Sequence, residues 1–366
     1  MNSPNDKTPA ADQPDRYWTD LVKRLQPYVP GEQPRERQFI KLNTNENPYG
    51  PSPQVLAAIQ NELHDDLRLY PDPEALLLRQ AIADQHGVAI DQVFAGNGSD
   101  EVLALTFQAF FTGRDMPLLF PDISYSFYPV YCNLFDIENR QVPLGRDFEL
   151  DLHAYTVPNA GIIFPNPNAP TSKAVSVDDI AGLLQRNTDS VVVVDEAYVD
   201  FGADTAIPLC AEFPNLLVTR TLSKSASLAG MRIGYAVGDS ALIQALVRVK
   251  DSFNSYPLDR LAQVAASAAI EDQAYFSDVC QRVITTRERT ADGLQQMGFT
   301  VLKSSTNFLF ITHAEFAATE LAAALRQAGI LVRHFKQPRI EQFLRVTVGT
   351  DDEMSTLLTE LKQIIA

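Results

Sequence analysis

Residues 191–198 read VVVVDEAY, and this stretch decides the fold that the sequence predicts. Four valines in succession are typical of a strand that is buried on both faces of a parallel sheet. The run ends in two acidic residues, Asp195 and Glu196. A carboxylate beside such a buried strand is costly unless it has a partner. Because ligands of open α/β sheets bind beyond the carboxyl ends of the strands, Asp195 is a candidate functional residue.

Strand and helix patterns alternate on both sides of this stretch. Helical periodicity separates apolar, strand-like runs, which lie at residues 93–95, 116–120, 161–164 and 216–219. This alternation predicts the α/β class, with a large, doubly wound, mostly parallel sheet.

The pattern changes from residue 258 onward, where long helices and short strands predict a smaller, C-terminal α+β domain. We therefore expect an N-terminal arm at residues 1–45, a large domain at 46–280 and a small domain at 281–366. The boundary between the two domains falls within a long helical pattern at 275–297, and such boundaries are the least precise part of a sequence-based prediction.

Length and charge limit the class of protein. The chain has 366 residues, of which 45% are hydrophobic, and a formal net charge of −16 at pH 7. The length suits one large domain and one smaller domain with ample core. Such acidity argues against nucleic acid or an anionic membrane as a partner. The start of the chain, MNSPNDKTPAADQPD, is polar and proline-rich, so we expect neither a secretory signal nor a membrane anchor.

The cysteines and histidines indicate no metal site. The three cysteines lie far apart without a C-x-x-C pair, and the five histidines are scattered. We expect no metal ligation and buried, reduced thiols. Reduced thiols predict a cytoplasmic protein.

The segment at residues 221–235, TLSKSASLAGMRIGY, carries a candidate nucleophile. Lys224 lies between small hydroxylic residues just after a strand-like run. A lysine held in this way becomes a Schiff-base former once desolvation or a neighbouring cation lowers its pKa. The alternative is that Lys224 is a solvated loop lysine and Arg232 a surface charge.

A candidate anion site precedes the helical pattern at residues 102–111. The residues before it read GNGSDE, and glycines at a helix N-terminus let backbone N–H groups, here those of Ser99 and Asp100, converge on an anion. The alternative is an ordinary capped helix with Ser99 as N-cap. Glu101 occupies the third glycine position, so this is not a dinucleotide fingerprint.

Taken together, these motifs resemble the fold-type I aminotransferases that use pyridoxal phosphate, and the histidinol-phosphate aminotransferase family in particular. The resemblance covers residues 42–349. Its pieces are NENP at 45–48, YP at 70–71, GSDE at 98–101, VDEAY at 194–198, RTLSK at 220–224, NSYPL at 254–258, NF at 307–308 and LRVTVGT at 344–350. It implies a transaminase that acts on histidinol phosphate as amino donor and on 2-oxoglutarate.

The same resemblance leaves alternatives open. Aromatic aminotransferases and threonine-phosphate decarboxylases belong to the same class and differ in the side chain held or the bond broken. A non-catalytic ligand-binding protein of this fold is another alternative, against which the intact Lys224 argues.

The resemblance also implies roles for individual residues. Lys224 would carry pyridoxal phosphate and move the substrate proton, and Asp195 would pair with the ring nitrogen. The phosphate of the cofactor would be held by Ser99, Asp100, Ser223 and Arg232. Tyr125 would cover the cofactor ring, and Tyr198 and an asparagine would form hydrogen bonds to the ring oxygen. The family usually has that asparagine where this chain has Ala169. We expect Asn168 to replace it, with Asn166 as the alternative.

Three further residues are predicted to contact substrate, and one to contact a partner subunit. Arg345 would clamp the substrate carboxylate, and Asn47 would also bind the substrate. Arg333 would bind a substrate phosphate, unless it pairs with Glu341 instead. The resemblance implies a homodimer with shared active sites, in which Tyr70 reaches the partner's cofactor phosphate.

Overall fold

The computed structural model describes residues 15–28, 31–34 and 39–366, so the first part of the predicted arm lies outside the described residues. Within that range, twelve strands form one sheet of seven and one of five. Every helix in the described ranges is too short or too polar to cross a membrane.

The strands, in chain order, are β1 (Ile40–Leu42), β2 (Val93–Gly96), β3 (Leu118–Pro121), β4 (Asn139–Val142), β5 (Gly161–Pro165), β6 (Val191–Asp195), β7 (Leu216–Thr221), β8 (Gly234–Gly238), β9 (Phe299–Val301), β10 (Phe308–His313), β11 (Ile330–His334) and β12 (Leu344–Thr347). The helices are α1 (Asp20–Arg24), α2 (Pro53–Glu62), α3 (Leu76–His86), α4 (Gly98–Phe110), α5 (Tyr128–Phe135), α6 (Val177–Arg186), α7 (Ser240–Phe253), α8 (Arg260–Glu271), α9 (Gln273–Gln296), α10 (Ala318–Gln327) and α11 (Asp351–Ile364).

The large sheet has the order β2-β8-β7-β6-β5-β3-β4. The strands from β7 to β4 are parallel, and β8 is antiparallel to both of its neighbours. Val192 and Val194 lie in one hydrophobic cluster, and Val193 lies in the cluster on the opposite face. The valine run is therefore buried on both sides, and the predicted mostly parallel, doubly wound sheet is confirmed.

The smaller sheet has the order β1-β11-β12-β10-β9. One face packs against α9, α10 and α11 through residues such as Leu294, Leu325 and Leu357. The other face turns towards the large domain, where Phe310 packs with Phe148. This confirms the predicted α+β architecture of the C-terminal part.

The predicted N-terminal arm contributes to the smaller sheet. Its strand β1 pairs in parallel with β11, with Ile40 opposite Ile330. The sequence did not predict this strand, and it brings residues 43–47 between the two sheets. The predicted domain boundary at residues 280 and 281 lies inside α9 and stays a prediction.

Candidate active site

A cavity of about 320 Å³ lies where β5, β6 and β7 end, and β11 and β12 close its other side. This is the edge of an open α/β sheet at which ligands bind. Most of the predicted site residues line it, namely Ser99, Asp100, Tyr125, Asp195, Tyr198, Ser223, Lys224, Arg232, Arg333 and Arg345.

Lys224 projects its amine into this cavity from a rigidly held loop. Its Nζ donates to Thr44 O at 3.2 Å, and it lies 5.9 Å from the Tyr198 ring centroid. Burial, followed by the charge of Arg345, lowers the pKa of Lys224 to about 8. A substantial fraction of the amine is therefore neutral and nucleophilic near neutral pH. Lys224 is not a solvated loop lysine.

The backbone around Lys224 is anchored by side chains outside the cavity lining. Asn47 Nδ2 donates to Lys224 O at 3.0 Å and to Ser225 O at 3.2 Å. Ser225 Oγ donates to Asp200 Oδ2 at 2.6 Å, and Asp200 forms an ion pair with Arg220. Asn47 was predicted to contact substrate, but the structure places its amide on the lysine loop instead.

Asp195 presents a carboxylate oxygen without a partner. Its Oδ2 accepts a hydrogen bond from Tyr128 OH at 3.0 Å. Its Oδ1 is buried and has no hydrogen-bond partner among the residues that the structure describes. Burial raises the pKa of Asp195 to about 6. A ligand with a protonated nitrogen would satisfy this oxygen.

The N-terminus of α4 and Arg232 form a positively charged end of the cavity. The helix begins at Gly98 with Asn97 as N-cap, so the alternative of Ser99 as N-cap is wrong. Arg232 Nη2 donates to Asp100 Oδ2 at 2.8 Å. Gly98 has a φ of +81°, which favours glycine, and a Cβ atom there would lie 2.6 Å from Arg232 Nη2, so the glycine allows this close approach. The helix dipole and the guanidinium together favour an anion.

Tyr125 and Tyr198 lie on different walls of the cavity. Tyr125 OH donates to Asp100 Oδ1 at 2.9 Å, which holds the ring beside the positively charged end. Tyr198 OH accepts from Asn45 Nδ2 at 2.9 Å. Both positions suit rings that contact a planar ligand.

Arg333 and Arg345 form a second positively charged end. They face each other across the antiparallel strands β11 and β12, so their side chains share a face. Their guanidinium carbons lie 5.8 and 5.7 Å from the Phe335 ring centroid. Arg345 Nη2 donates to Asn43 O at 2.9 Å, whereas its Nε is buried without a partner in the described part of the chain.

Neither arginine has a carboxylate partner. Within residues 15–28, 31–34 and 39–366, no acidic side chain forms an ion pair with Arg333 or Arg345. The alternative pairing of Arg333 with Glu341 is therefore not found among these residues, and the Glu341 backbone carbonyl contacts His334. Two guanidinium groups without carboxylates favour an anionic ligand.

The predicted asparagine contact is not brought into the cavity. Asn168 Nδ2 donates to Ile123 O at 3.0 Å and to Thr171 Oγ1 at 2.8 Å. Asn166 pairs with the backbone of Val175. Asn166 uses both of its amide atoms in these bonds, whereas Asn168 Oδ1 is buried without a partner among the residues that the structure describes. Ala169 lines the cavity, and neither asparagine does.

Tyr70 lies away from its own chain's cavity. It is 78% exposed, and its ring stacks on Tyr256 at a centroid distance of 4.7 Å. Several large apolar side chains near it in sequence or on neighbouring helices are also exposed, namely Leu56, Leu63, Leu67, Leu69, Leu77 and Phe253.

Sequence reasoning missed the role of residues 43–47. These residues form a loop after β1, and Asn43, Thr44 and Asn45 line the cavity. The NENP motif at residues 45–48 could have indicated this role. It is part of the family resemblance, but no contact was predicted for its first asparagine, Asn45. Tyr128, which bonds Asp195, was missed as well because nothing near it in sequence marks it.

These residues fit pyridoxal phosphate, the cofactor that the resemblance implies. Lys224 supplies an amine for its aldehyde, and the unpaired oxygen of Asp195 suits its ring nitrogen. The α4 N-terminus and Arg232 suit its phosphate. Among the described residues, each of these cofactor groups has a candidate partner, and the candidate for the ring oxygen is Tyr198.

Comparison with known proteins identifies the family. Residues 37–361 match the model of aminotransferase class I and II. The chain belongs to this aminotransferase family. Histidinol-phosphate aminotransferase 2 of Thiobacillus denitrificans is 58% identical over 350 residues, covering 95% of this aminotransferase and 98% of that protein. The protein of the same name from Dechloromonas aromatica is 59% identical over 353 residues, with coverages of 95% and 99%.

A solved structure agrees with this result. The crystal structure of histidinol-phosphate aminotransferase from Sinorhizobium meliloti in complex with pyridoxal-5'-phosphate has a TM-score of 0.87 at 26% identity. The matched region covers 96% of this aminotransferase and 98% of the Sinorhizobium meliloti chain. The fold and the family predicted from the sequence are confirmed.

We expect Lys224 in the cofactor-free protein to titrate well below an ordinary lysine. Its modification by an amine-directed reagent should accelerate with pH and level off above about 8, because only the neutral amine reacts. Mass spectrometry of the Lys224 peptide measures the rate. Arg345→Met removes a cation and should move the midpoint upward. A midpoint near the ordinary lysine pKa of about 10.4 in the unsubstituted protein would contradict the prediction that the site lowers the pKa of Lys224.

Proposed function

We propose that this aminotransferase transfers the amino group of L-histidinol phosphate to 2-oxoglutarate, giving imidazole-acetol phosphate and glutamate. Pyridoxal phosphate would be bound at Lys224. The observation that carries the proposal is the pair Arg333 and Arg345, which faces the cavity without a carboxylate partner from the residues that the structure describes. The curated relatives named histidinol-phosphate aminotransferase, at 58% and 59% identity, support the same substrate.

The cofactor and the protein divide the chemistry. When bound, pyridoxal phosphate supplies an electron sink for the charge left when a substrate C–H bond breaks. Asp195 keeps the ring nitrogen protonated, because its otherwise unpaired Oδ1 is stabilised by that proton. Arg232, Ser223 and the N–H groups of Ser99 and Asp100 hold the phosphate.

Lys224 acts as the base at the reacting carbon. Its pKa of about 8 lies close to physiological pH, so the amine both accepts a proton and gives it back readily. The Asn47 contacts hold its backbone while the amine moves. Tyr125 and Tyr198 line the cavity in which this proton transfer would take place.

The substrate anion binds at the arginine pair. Histidinol phosphate carries a phosphate group in the region where an amino acid carries its carboxylate, so the phosphate and the carboxylates of 2-oxoglutarate meet the same end of the cavity. Since Arg333 and Arg345 share a face of β11 and β12, we propose that both guanidinium groups contact the phosphate. This replaces the predicted division in which Arg345 takes a carboxylate and Arg333 takes the phosphate.

We further propose that the enzyme is a homodimer with shared active sites. Tyr70 and the exposed apolar side chains around it form a surface that a second copy would cover. A tyrosine with no role in its own cavity gains one if it reaches the cofactor phosphate of the partner subunit. The exposed position of Tyr70 supports the homodimer with shared active sites that the sequence predicts.

We place the reaction in the cytoplasm. Cys132, Cys210 and Cys280 are buried and free. Unpaired thiols suit a reducing compartment, as does a biosynthetic transamination.

Donor preference tests the proposed function. Histidinol phosphate should have a much higher kcat/KM than histidinol or phenylalanine in steady-state assays. Arg333→Ala should lower kcat/KM for histidinol phosphate by about 10-fold to 100-fold, because a hydrogen bond between charged groups is lost. The same change should have little effect on histidinol. Arg326→Ala is a matched control, since this exposed arginine pairs with Glu32 outside the cavity.

Two results would contradict the substrate assignment. If phenylalanine matches histidinol phosphate in kcat/KM, the enzyme is an aromatic aminotransferase. If phosphothreonine releases carbon dioxide, it is a decarboxylase.

Mixed dimers test the shared site. Neither Tyr70→Ala nor Lys224→Ala alone should be fully active, but a mixture of the two chains should recover part of the activity, because one site of each hybrid dimer carries neither substitution. Leu77→Ala in place of Tyr70→Ala is a control on the same exposed surface. Sedimentation equilibrium that shows a monomer at assay concentration would rule the shared site out.

A further inference from the structure

Asn45 lines the cavity, and the resemblance gives it no role. It is 1% exposed, and its φ of 56° lies in the left-handed region. Asparagine tolerates this region better than most residues. Its backbone N–H donates to Thr347 Oγ1 at 3.0 Å, and its carbonyl accepts from Asn307 Nδ2 at 3.0 Å. The backbone of Asn45 is thus fixed against the smaller domain.

The hydrogen bonds of Thr347 determine which way the Asn45 amide points. Thr347 Oγ1 already accepts from the Asn45 backbone N–H, and its own proton is donated to Asn45 Oδ1 at 3.0 Å. A reversed amide would leave that proton without an acceptor among the residues that the structure describes, because Asn45 Oδ1 is its acceptor there. The amide nitrogen must face Tyr198, and Nδ2 donates to Tyr198 OH at 2.9 Å.

This bond decides the direction of the Tyr198 proton. A phenol has one proton to donate and can also accept. Since the Tyr198 oxygen accepts from Asn45, its proton must point elsewhere. In the described part of the chain, Asn45 is the only hydrogen-bond partner of this hydroxyl. Tyr198 packs in one cluster with Ala169 and Phe308, whose side chains have no polar atom. An acceptor for the Tyr198 proton would therefore lie in the cavity.

We propose that Asn45 is a positioning residue that holds the Tyr198 oxygen as an acceptor, so that the phenolic O–H donates to the ring oxygen of bound pyridoxal phosphate. The inference rests on the proposed function. It gives the ring oxygen a donor of fixed direction on a wall where Ala169 offers none.

The charged groups around Tyr198 are compatible with this role. Lys224 lies 5.9 Å from its ring centroid, and Arg345 and Asp195 are the other charges that act on it. Burial raises the pKa of Tyr198, opposed by Arg345 and by the Asn45 hydrogen bond. The phenol therefore keeps the proton that it donates.

Asn45→Asp tests the role because it reverses one hydrogen bond. Aspartate suits the left-handed backbone and can still accept from Thr347. Its second oxygen would take the proton of Tyr198 and turn it away from the ring oxygen. An ionised ring oxygen would lose its donor, so the pH at which the absorption of the bound cofactor changes should rise by about one unit. The kcat for histidinol phosphate should fall about 10-fold to 100-fold.

A double-mutant cycle separates positioning from general damage. In a Tyr198→Phe background, Asn45→Asp should shift the absorption midpoint far less, because phenylalanine has no proton to redirect. Equal shifts in both backgrounds would overturn the role of Asn45. If Asn45→Asp does not fold, Asn45→Gly takes its place, since glycine accepts this φ. An unchanged midpoint in Asn45→Gly would then overturn the role.

The unsubstituted enzyme distinguishes failure of this role from failure of the proposed function. If it takes up pyridoxal phosphate and reacts with histidinol phosphate, a negative cycle overturns only the role of Asn45. If it does neither, the proposed function is overturned, and the role of Asn45 with it.

Discussion

The unpaired oxygen of Asp195 is the constraint on which the rest of the site depends. A buried carboxylate costs free energy unless a donor or a cation meets it, and Tyr128 meets only one of its oxygens. The position of the carboxylate cannot relax, because β6 is held between hydrophobic clusters on both faces of the sheet. A protonated ring nitrogen would remove this cost, and the carboxylate would keep that nitrogen charged. The same interaction would therefore both stabilise the loaded protein and activate the cofactor.

Residues 43–47 connect this site to the smaller domain. They follow β1, so they are fixed to the sheet that carries Arg333 and Arg345. The backbone carbonyl of Asn43 accepts from Arg345, and that of Thr44 accepts from Lys224. The segment thus contacts the proposed substrate anion site, the reacting amine and, through Asn45, the Tyr198 hydroxyl. Pre-organisation of this kind is what a transfer reaction requires, because small displacements of reacting groups are costly in rate.

Much of the fold could be predicted, because central strands such as β6 are buried on both faces and read as continuous apolar runs. The strands β1 and β4 could not be predicted, since β1 has three residues and a distant partner and β4 is largely exposed. In the site, Asp195 and Lys224 follow strand ends and were predicted. The contacts of Asn168 could not be predicted, because its Nδ2 donates both to Thr171 nearby and to Ile123, 45 positions away, and spacing does not reveal such a contact. The contact of Asn45 joins residues 153 positions apart, and no sequence pattern encodes it.

The central claim is that Asp195 supports the chemistry rather than the fold alone, and one single-turnover measurement tests it most directly. Asp195→Asn keeps the size of the side chain but cannot hold a proton on the ring nitrogen. The enzyme and the variant, both loaded with pyridoxal phosphate, are mixed rapidly with histidinol phosphate, and the absorption change of the cofactor is followed. The account predicts that the variant still binds cofactor but reacts at least about a thousandfold more slowly, equivalent to ~4 kcal/mol in the barrier. A loss of less than about tenfold would contradict it.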